Sequence, residues 1–199
     1  MDAWLRRFYN LILFCVTPFL LAHLLQKSRT NPDYRRRWHE RFARYRQPAA
    51  TGGILVHAVS VGEFNCALPL IRGLQRRLPE LPITVTTTTP TASERVRAAL
   101  GDSVQHLYLP LDLPWMIRRF YDHLQPRLVI VMETEVWPNL FLQAQRRKVP
   151  LMLANARLSP RSGRRYLGFR PLARQVLGTV DSVAAQSPAD AERLIACGA

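Results

Sequence analysis

The sequence is poor in cysteine, acidic residues and lysine, and it lacks the common nucleotide-binding motifs. Its three cysteines among 199 residues form no Cys-x-x-Cys pair, which argues against a disulfide scaffold and a zinc ribbon. Neither Gly-x-Gly-x-x-Gly nor a phosphate-binding loop occurs, so neither a dinucleotide nor ATP is indicated as a ligand. The five histidines are scattered, with no i, i+4 pair. We therefore expect no metal and no cofactor.

Arginine is what the sequence has in excess. Only 14 acidic residues oppose 28 basic ones, all but two of them arginine, for a formal net charge of +14. Half of this excess lies in residues 1–50, where 10 basic and 3 acidic residues give +7. A hydrophobic content of 48% excludes a disordered polycation and also a polytopic membrane protein. The expected partners are anions: nucleic acid, anionic lipid or a phosphorylated substrate.

The most apolar stretch runs from Phe8 to Leu25 without a formal charge. As a helix it would be about 27 Å long, which is borderline for crossing a hydrocarbon core of about 30 Å. A signal peptide and a buried core helix are the alternatives, although no good cleavage site follows. More basic residues follow the stretch than precede it, which favours an anchor with the rest of the chain in the cytoplasm. We predict a hydrophobic membrane anchor at residues 1–28, either spanning the bilayer or lying along its surface.

Aromatic residues are interleaved with arginines directly after this stretch. Tyr34, Trp38, Phe42 and Tyr45 recur at the spacing of one helix face, and arginines occupy the other faces. We therefore predict that residues 29–50 form a basic amphipathic helix at an anionic membrane surface. The same interleaving could stack bases and bind phosphates of a nucleic acid.

Residues 51–199 alternate short apolar runs with helical segments, which is typical of a parallel sheet flanked by helices. The predicted strands are Ile54–Ala58, Ile83–Thr87, Gln105–Leu109, Leu128–Met132, Leu151–Ala154 and Ser182–Ala185. The predicted helices are Phe64–Arg77, Ala92–Leu100, Pro114–Leu124, Pro138–Arg147, Pro160–Leu177 and Pro188–Cys197. The fold class is therefore predicted as α/β, a Rossmann-like domain, which by itself implies no function.

Sites in such sheets form where strands end, and the first predicted strand ends in a polar cluster. Glu63 lies at the start of the next helix, whose dipole would keep its carboxylate ionised and ready to act as a general base. Gly62 would let a substrate approach closely. Ser60 matches a nucleophile elbow only in part, because Ala58 stands where the motif needs its first glycine. A serine hydrolase is thus weakly supported.

Two further strand ends carry polar side chains. Glu133 and Glu135 follow the fourth predicted strand beside Trp137, and they would share one face if the extended conformation persisted. A structural ion pair or a solvated loop is the alternative for these acids. Asn155 and Arg157 follow the fifth strand and offer donors for an anion or for sugar hydroxyls.

Six stretches in a fixed order give the sequence a family resemblance. They are Tyr34–Arg41, His57–Glu63, parts of Leu81–Val96, parts of His106–Pro114, Met132–Leu140 and Asn155–Ser159. With them the chain resembles, over nearly its whole length, the N-terminal half of bacterial 3-deoxy-D-manno-octulosonic acid (Kdo) transferases. These are the lipid A glycosyltransferases of lipopolysaccharide synthesis.

The resemblance implies a GT-B architecture, in which two Rossmann-like halves face each other across a cleft. This half would bind the acceptor, lipid IVA, at the cytoplasmic face of the inner membrane. CMP-Kdo would be the donor, and transfer would invert the anomeric centre. By the same resemblance Glu63 is the catalytic base and Glu133 a second active-site carboxylate. The positions expected to contact substrate are Ser60, Gly62, Glu135, Trp137, Asn139, Asn155 and Arg157.

The chain is too short to match the whole family pattern. Residues 51–199 would form the acceptor-binding domain, and the donor-binding half is missing, so the chain alone is expected to be inactive. The alternative is a non-catalytic basic module attached to a membrane, which binds anionic lipid or nucleic acid. A natural stop after Ala199 and tight, salt-dependent binding to nucleic acid would favour that module. The family resemblance predicts no nucleic-acid partner.

Overall fold

A computed structural model describes residues 3–46 and 48–199. Within these residues, six parallel strands form one sheet in the order β3-β2-β1-β4-β5-β6. Their bounds are Ile54–His57 (β1), Ile83–Thr87 (β2), Gln105–Tyr108 (β3), Leu128–Met132 (β4), Leu151–Ala156 (β5) and Ser182–Ala185 (β6). The predicted Rossmann-like α/β fold is confirmed. Each predicted strand is present, and only the ends differ by one or two residues.

Helices connect the strands and precede the sheet. Their bounds are Ala3–Thr30 (α1), Trp38–Arg41 (α2), Val61–Arg77 (α3), Pro90–Leu100 (α4), Pro114–Leu124 (α5), Pro138–Arg146 (α6), Pro160–Gly168 (α7), Arg170–Leu177 (α8) and Pro188–Cys197 (α9). The prediction of one helix over Pro160–Leu177 is wrong, because the helix is interrupted at Phe169, between α7 and α8. Pro171 explains the break, since it has no N–H to donate and its ring would clash with the carbonyl four residues earlier.

The strand order reverses between β1 and β4. Both are parallel neighbours, with His57 paired with Val131 at their carboxyl ends. In such sheets the two loops that leave a reversal point diverge to opposite faces and open a crevice for ligands. Here the loop after β1 leads to Glu63 in the first turn of α3, and the loop after β4 contains Glu133.

The centre of the sheet is buried on both faces. On one face, Leu55 and Val131 belong to a core that contains Phe120 and Phe141. Alternate strand residues belong to the opposite core, which is formed with α3 and α4. This arrangement holds the ends of the central strands β1 and β4 in place, because both strands are packed on both sides.

The predicted amphipathic helix over residues 29–50 is wrong. The segment contains a short 3₁₀ turn at Pro32–Arg35 and the four-residue α2, and both Arg37 and Ala43 have the left-handed backbone conformation. The reason is packing on the edge of the sheet. Arg37 donates to the carbonyl of His106 over 2.6 Å, and the carboxylate of Glu40 accepts from the Tyr108 N–H over 2.8 Å.

The four aromatic residues of this segment therefore share no single helix face. The interleaving that suggested a nucleic-acid partner thus loses its structural basis. A membrane contact for the exposed arginines of residues 29–50 stays a prediction, as do the predicted boundaries of the segments. Gln47 lies outside the described residues.

Helix α1 contains the predicted anchor sequence. The most apolar 18-residue window of Trp4–Thr30 has a mean hydropathy of 1.9, and the helix is long and apolar enough to cross a membrane. One stripe of α1 rests on the domain: the hydroxyl of Tyr9 donates to Asp112 over 2.9 Å, and the amide of Asn139 donates to Asn10 over 2.9 Å. The opposite face exposes large apolar side chains, among them Trp4, Leu11, Phe14 and Phe19. The apolar N-terminal helix is confirmed, and its insertion into a membrane stays a prediction.

Candidate active site

Glu63 is held by hydrogen bonds at the start of α3. Its Oε2 accepts from the Val59 N–H over 2.8 Å, and its Oε1 accepts from the Ser60 hydroxyl over 3.0 Å. Ser60 in turn caps the helix, because its Oγ accepts from the Glu63 N–H over 3.3 Å. This reciprocal arrangement is a form of the capping box. It explains why α3 begins at Val61, three residues before the predicted start.

Burial dominates the electrostatics of Glu63. The residue is 7% exposed, and burial raises the pKa of its carboxyl, reinforced by the nearby charge of Glu133. The hydrogen bonds from Val59 and Ser60 act in the opposite direction. Burial thus acts against the expected stabilisation of the charged form by the helix start, and the ionised state of Glu63 stays a prediction. A raised pKa makes the carboxylate a stronger proton acceptor, which suits a general base.

Glu133 ends strand β4 in a left-handed conformation with φ 54°. Its N–H donates to the carbonyl of Ala154 over 2.8 Å, which fixes this bend against β5. The extended conformation does not persist, so the condition for Glu133 and Glu135 to share one face is not met. Left-handed backbone at a residue other than glycine costs about 1–3 kcal/mol and concentrates at functional sites.

Glu135 completes a group of three interacting carboxylates. Burial raises the pKa of its carboxyl, and the charges of Glu63 and Glu133 raise it further. The start of α3 and the loop after β4 thus bring like charges together at the reversal point of the sheet. Such repulsion destabilises the fold and is typical of sites where ionisable groups act on a substrate.

Trp137 and Gly62 border this group of acids. The ring of Trp137 lies edge-on to the ring of His57, with centroids 6.1 Å apart. His57 is fully buried, its Nδ1 lies 3.0 Å from the Thr86 hydroxyl, and burial lowers its pKa to about 4, so the ring is neutral. Gly62 is exposed, and a side chain there would approach only the Ser60 hydroxyl, at 3.8 Å. The start of α3 is therefore open to a ligand.

Asn155 and Arg157 lie one strand farther along the edge. Asn155 has φ 54° and occupies the irregularity where the register between β5 and β6 shifts. Arg157 is exposed, and its carbonyl accepts from the hydroxyl of Thr134, which ties the loop after β5 to the loop after β4. The sequence analysis missed Thr134, although it lies between the two glutamates.

Asn139 lies apart from the three carboxylates. It is 6% exposed, and its amide donates to the carbonyl of Asp112 over 2.5 Å as well as to Asn10. The carboxylate of Asp112 accepts from the backbone N–H groups of Asn139 and Leu140, each over 2.9 Å, and from Tyr9. Both amide hydrogens of Asn139 are thus used inside the protein, and its predicted contact with substrate stays a prediction.

A buried position for Asp112 was not foreseen from the sequence, which offers only an acid two residues before the proline that opens α5. Among residues 3–46 and 48–199, no group of three or more His, Cys, Asp or Glu residues is placed to hold a metal ion.

Comparison with known sequences decides the family. A profile described as 3-deoxy-D-manno-octulosonic-acid transferase (kdotransferase) matches residues 36–199. The chain belongs to the Kdo transferase family. It corresponds to the N-terminal half of these proteins, as the sequence predicts.

Curated relatives share this description. The chain is 45% identical over 195 residues to the 3-deoxy-D-manno-octulosonic acid transferase of Haemophilus influenzae, which covers 97% of the chain and 46% of that protein. It is 35% identical over 167 residues to a probable mitochondrial 3-deoxy-D-manno-octulosonic acid transferase of Arabidopsis thaliana, covering 83% of the chain and 37% of the relative. Identity to the Bordetella pertussis transferase is 40% over 151 residues, 73% of the chain and 35% of the relative. The chain thus spans less than half the length of each of these Kdo transferases.

Proposed function

We propose that this chain is the acceptor-binding half of an inverting GT-B glycosyltransferase. The complete enzyme would transfer Kdo from CMP-Kdo to lipid IVA during the synthesis of lipopolysaccharide. The donor would bind to a second half outside this chain, which alone would be inactive. The observation that carries the proposal is the group of three carboxylates at the reversal point of the sheet, at the start of α3, in a chain of the Kdo transferase family.

Glu63 is the proposed general base. The two protein donors occupy one lone-pair direction on each of its oxygens, which leaves further directions for a hydroxyl of the acceptor. As that hydroxyl oxygen attacks the anomeric carbon of Kdo, its proton passes to Glu63, and CMP leaves from the opposite face with the electrons of the broken bond. Glu133 would stabilise the positive charge that develops on the sugar ring.

The remaining residues would orient the acceptor. Ser60 fixes the carboxylate of Glu63 and would lie beside the acceptor hydroxyl, with Gly62 leaving room for the sugar. Glu135 and Trp137 border the same space, and the exposed guanidinium of Arg157 could bind a phosphate. Asn155 would position the loop that carries Arg157, whereas Asn139 would act from a distance by fixing the start of α6.

The substitution Glu63→Gln tests the base. In the full-length protein it is expected to lower kcat about 100-fold or more, because general-base catalysis contributes about 10²–10⁴ in rate. The measurement is Kdo transfer from CMP-Kdo to lipid IVA, followed by mass spectrometry. Glu94→Gln makes the same chemical change at an exposed position of the neighbouring helix and should leave kcat unchanged. Wild-type-like turnover by the Glu63→Gln variant would contradict the role of Glu63 as the general base.

We also propose that the protein lies at the cytoplasmic face of the inner membrane, with the exposed apolar face of α1 in contact with anionic lipid. Phe19 is 74% exposed on that face, and Phe169 is 73% exposed between α7 and α8. Phe19→Asp should weaken binding to phosphatidylglycerol vesicles roughly tenfold or more, because one buried aromatic side chain contributes about 1.5–3 kcal/mol. Phe169→Asp is the matched control in co-sedimentation. Equal losses in the two variants would contradict a specific role of α1.

A further inference from the structure

A groove runs between α1 and the carboxyl edge of the sheet, and we call it the α1 groove. It encloses about 190 Å³ and is lined mainly by apolar side chains. Its lining includes Leu13, Thr17 and Leu20 on α1 and Leu111, Leu113 and Trp137 on the domain. Pockets for whole drug-sized molecules enclose about 300–1,000 Å³. This narrower space suits part of a ligand, such as one hydrocarbon chain.

We propose that the α1 groove binds one acyl chain of the lipid acceptor, so that α1 forms a wall of the acceptor site in addition to contacting the membrane. An acyl-chain site presupposes the lipid acceptor of the proposed function. The position of the groove and the charge of its wall both favour a chain of a phosphorylated glycolipid over a bulk membrane lipid as the occupant.

The first reason is that the groove continues into the candidate active site. Trp137 lines the groove, and the same side chain meets the ring of His57, at the end of the strand that leads to Glu63. Thr88, which follows β2, also lines the groove, and its hydroxyl donates to the carbonyl of Val59. A chain held in the groove would therefore leave its sugar headgroup close to the carboxylates.

The second reason is a buried arginine in the wall. Arg41 is 5% exposed, and its Nη2 donates to the carbonyl of Thr88 over 2.8 Å, but its buried Nε has no hydrogen-bond partner. Leaving a buried donor of a charged group unpaired is unfavourable, and a phosphate oxygen is a strong acceptor for guanidinium. The other charged group of the wall, Asp112, already accepts three hydrogen bonds from the protein.

Contacts near both ends of α1 hold this wall in place. Near its beginning Tyr9 and Asn10 bond to Asp112 and Asn139, and near its end the hydroxyl of Ser28 accepts from Arg35 over 2.9 Å. Between them Leu13 packs against a small core that includes Leu113. These contacts keep α1 beside the domain, and its outer face is the more exposed one, with Leu11 at 60% against Leu20 at 40%.

Two tryptophan substitutions on opposite faces of α1 test the groove. Thr17 lines it, whereas Leu11 is 60% exposed on the outer face. In the full-length protein, Thr17→Trp should raise KM for a synthetic tetraacylated glucosamine disaccharide bisphosphate roughly tenfold, the effect of losing contact with about two buried methylenes. It should leave KM for the deacylated disaccharide bisphosphate unchanged, and Leu11→Trp should change neither value. An unchanged KM in the Thr17→Trp variant, or an equal rise in the Leu11→Trp variant, would overturn the proposal.

Crosslinking of the wild-type protein gives a second measurement that needs no turnover. The probe is the same bisphosphate with a photoactivatable diazirine in one acyl chain, presented in detergent micelles. Adducts at Leu20, Leu111 or Trp137 are expected, and an equally labelled phosphatidylglycerol should give fewer. Adducts confined to the outer residues Phe14 and Phe19, or equal labelling by both lipids, would overturn the proposal. If groove adducts form but the full-length protein transfers no Kdo, the proposed function is wrong and the groove is still a lipid-binding site.

Discussion

The edge of the sheet uses buried carboxylates in two opposite ways. Asp112, in the loop after β3, accepts hydrogen bonds from two backbone N–H groups of α6 and from Tyr9 on α1. Glu63, after β1, also accepts from the backbone and from a hydroxyl, but the charges of Glu133 and Glu135 lie close to it. The first region joins three elements around one acid. The second keeps three acids together, although their repulsion opposes folding.

Asp112 and Glu63 differ in what acts on their buried carboxyls. Burial raises the pKa of Asp112 to about 7, against the opposing effect of its three donors. For Glu63 and Glu135, burial and repulsion between the acids act together, and the site stays open at Gly62. A carboxylate whose partners are all internal maintains the fold. Carboxylates that repel one another at an open edge indicate a site that a substrate completes.

The largest effect on stability is expected from Asp112→Ala. The substitution leaves two backbone N–H groups and the Tyr9 hydroxyl without their acceptor, which costs about 3 kcal/mol or more of the free energy of unfolding. Urea unfolding of the full-length protein measures it, with Asp102→Ala at an exposed position as the control. A loss equal to that of the control would mean that Asp112 does not join α1 to α6.

The pH dependence of this loss follows from the raised pKa of Asp112. A raised pKa in the folded state means that the contribution of the carboxyl to stability is full below its unfolded pKa near 4 and is lost as the pH rises through about 7. Since alanine does not titrate, the difference between wild type and Asp112→Ala should narrow between pH 4 and pH 7. A difference that widens over this range would contradict the raised pKa.

A smaller effect is expected from Tyr9→Phe. The variant removes one donor to Asp112 and should lower the free energy of unfolding by about 1 kcal/mol. Because the hydroxyl of Tyr9 lowers the pKa of Asp112, its removal should raise that pKa further. In the Asp112→Ala background the same substitution should have almost no effect, since the pair is already broken. Additive losses in the double variant would show that the two residues act separately.

How far the sequence predicts this molecule depends on whether a feature is local. The strands are short apolar runs bounded by turns, so their positions follow from the pattern. The capping of α3 is also a local feature, because Ser60 and Glu63 have the spacing of a capping box. The segment after α1 was mispredicted because the aromatic spacing is local, whereas its fold depends on Glu40 bonding to β3, 68 residues away. The sequence likewise could not show that Asp112 bonds to Tyr9, because the two lie 103 residues apart.

Removing an acid of the site and removing Asp112 should change the free energy of unfolding in opposite directions at pH 8. Burial raises the pKa of Glu135, and the charges of Glu63 and Glu133 raise it further, so its contribution to stability is full below the unfolded pKa near 4.3 and is lost as the pH rises through the raised value. Glu135→Gln should therefore stabilise the full-length protein at pH 8 by a few tenths to about 1 kcal/mol, the range of single charge interactions near a surface.

At pH 4 this gain should vanish, because the wild-type carboxyl is then protonated. Glu192→Gln, at an exposed position of α9, serves as the control in thermal unfolding at both pH values. Destabilisation by Glu135→Gln at pH 8 would place Glu135 with Asp112 among the acids that maintain the fold. Stabilisation together with slower Kdo transfer would mean that the repulsion is retained because the substrate requires it.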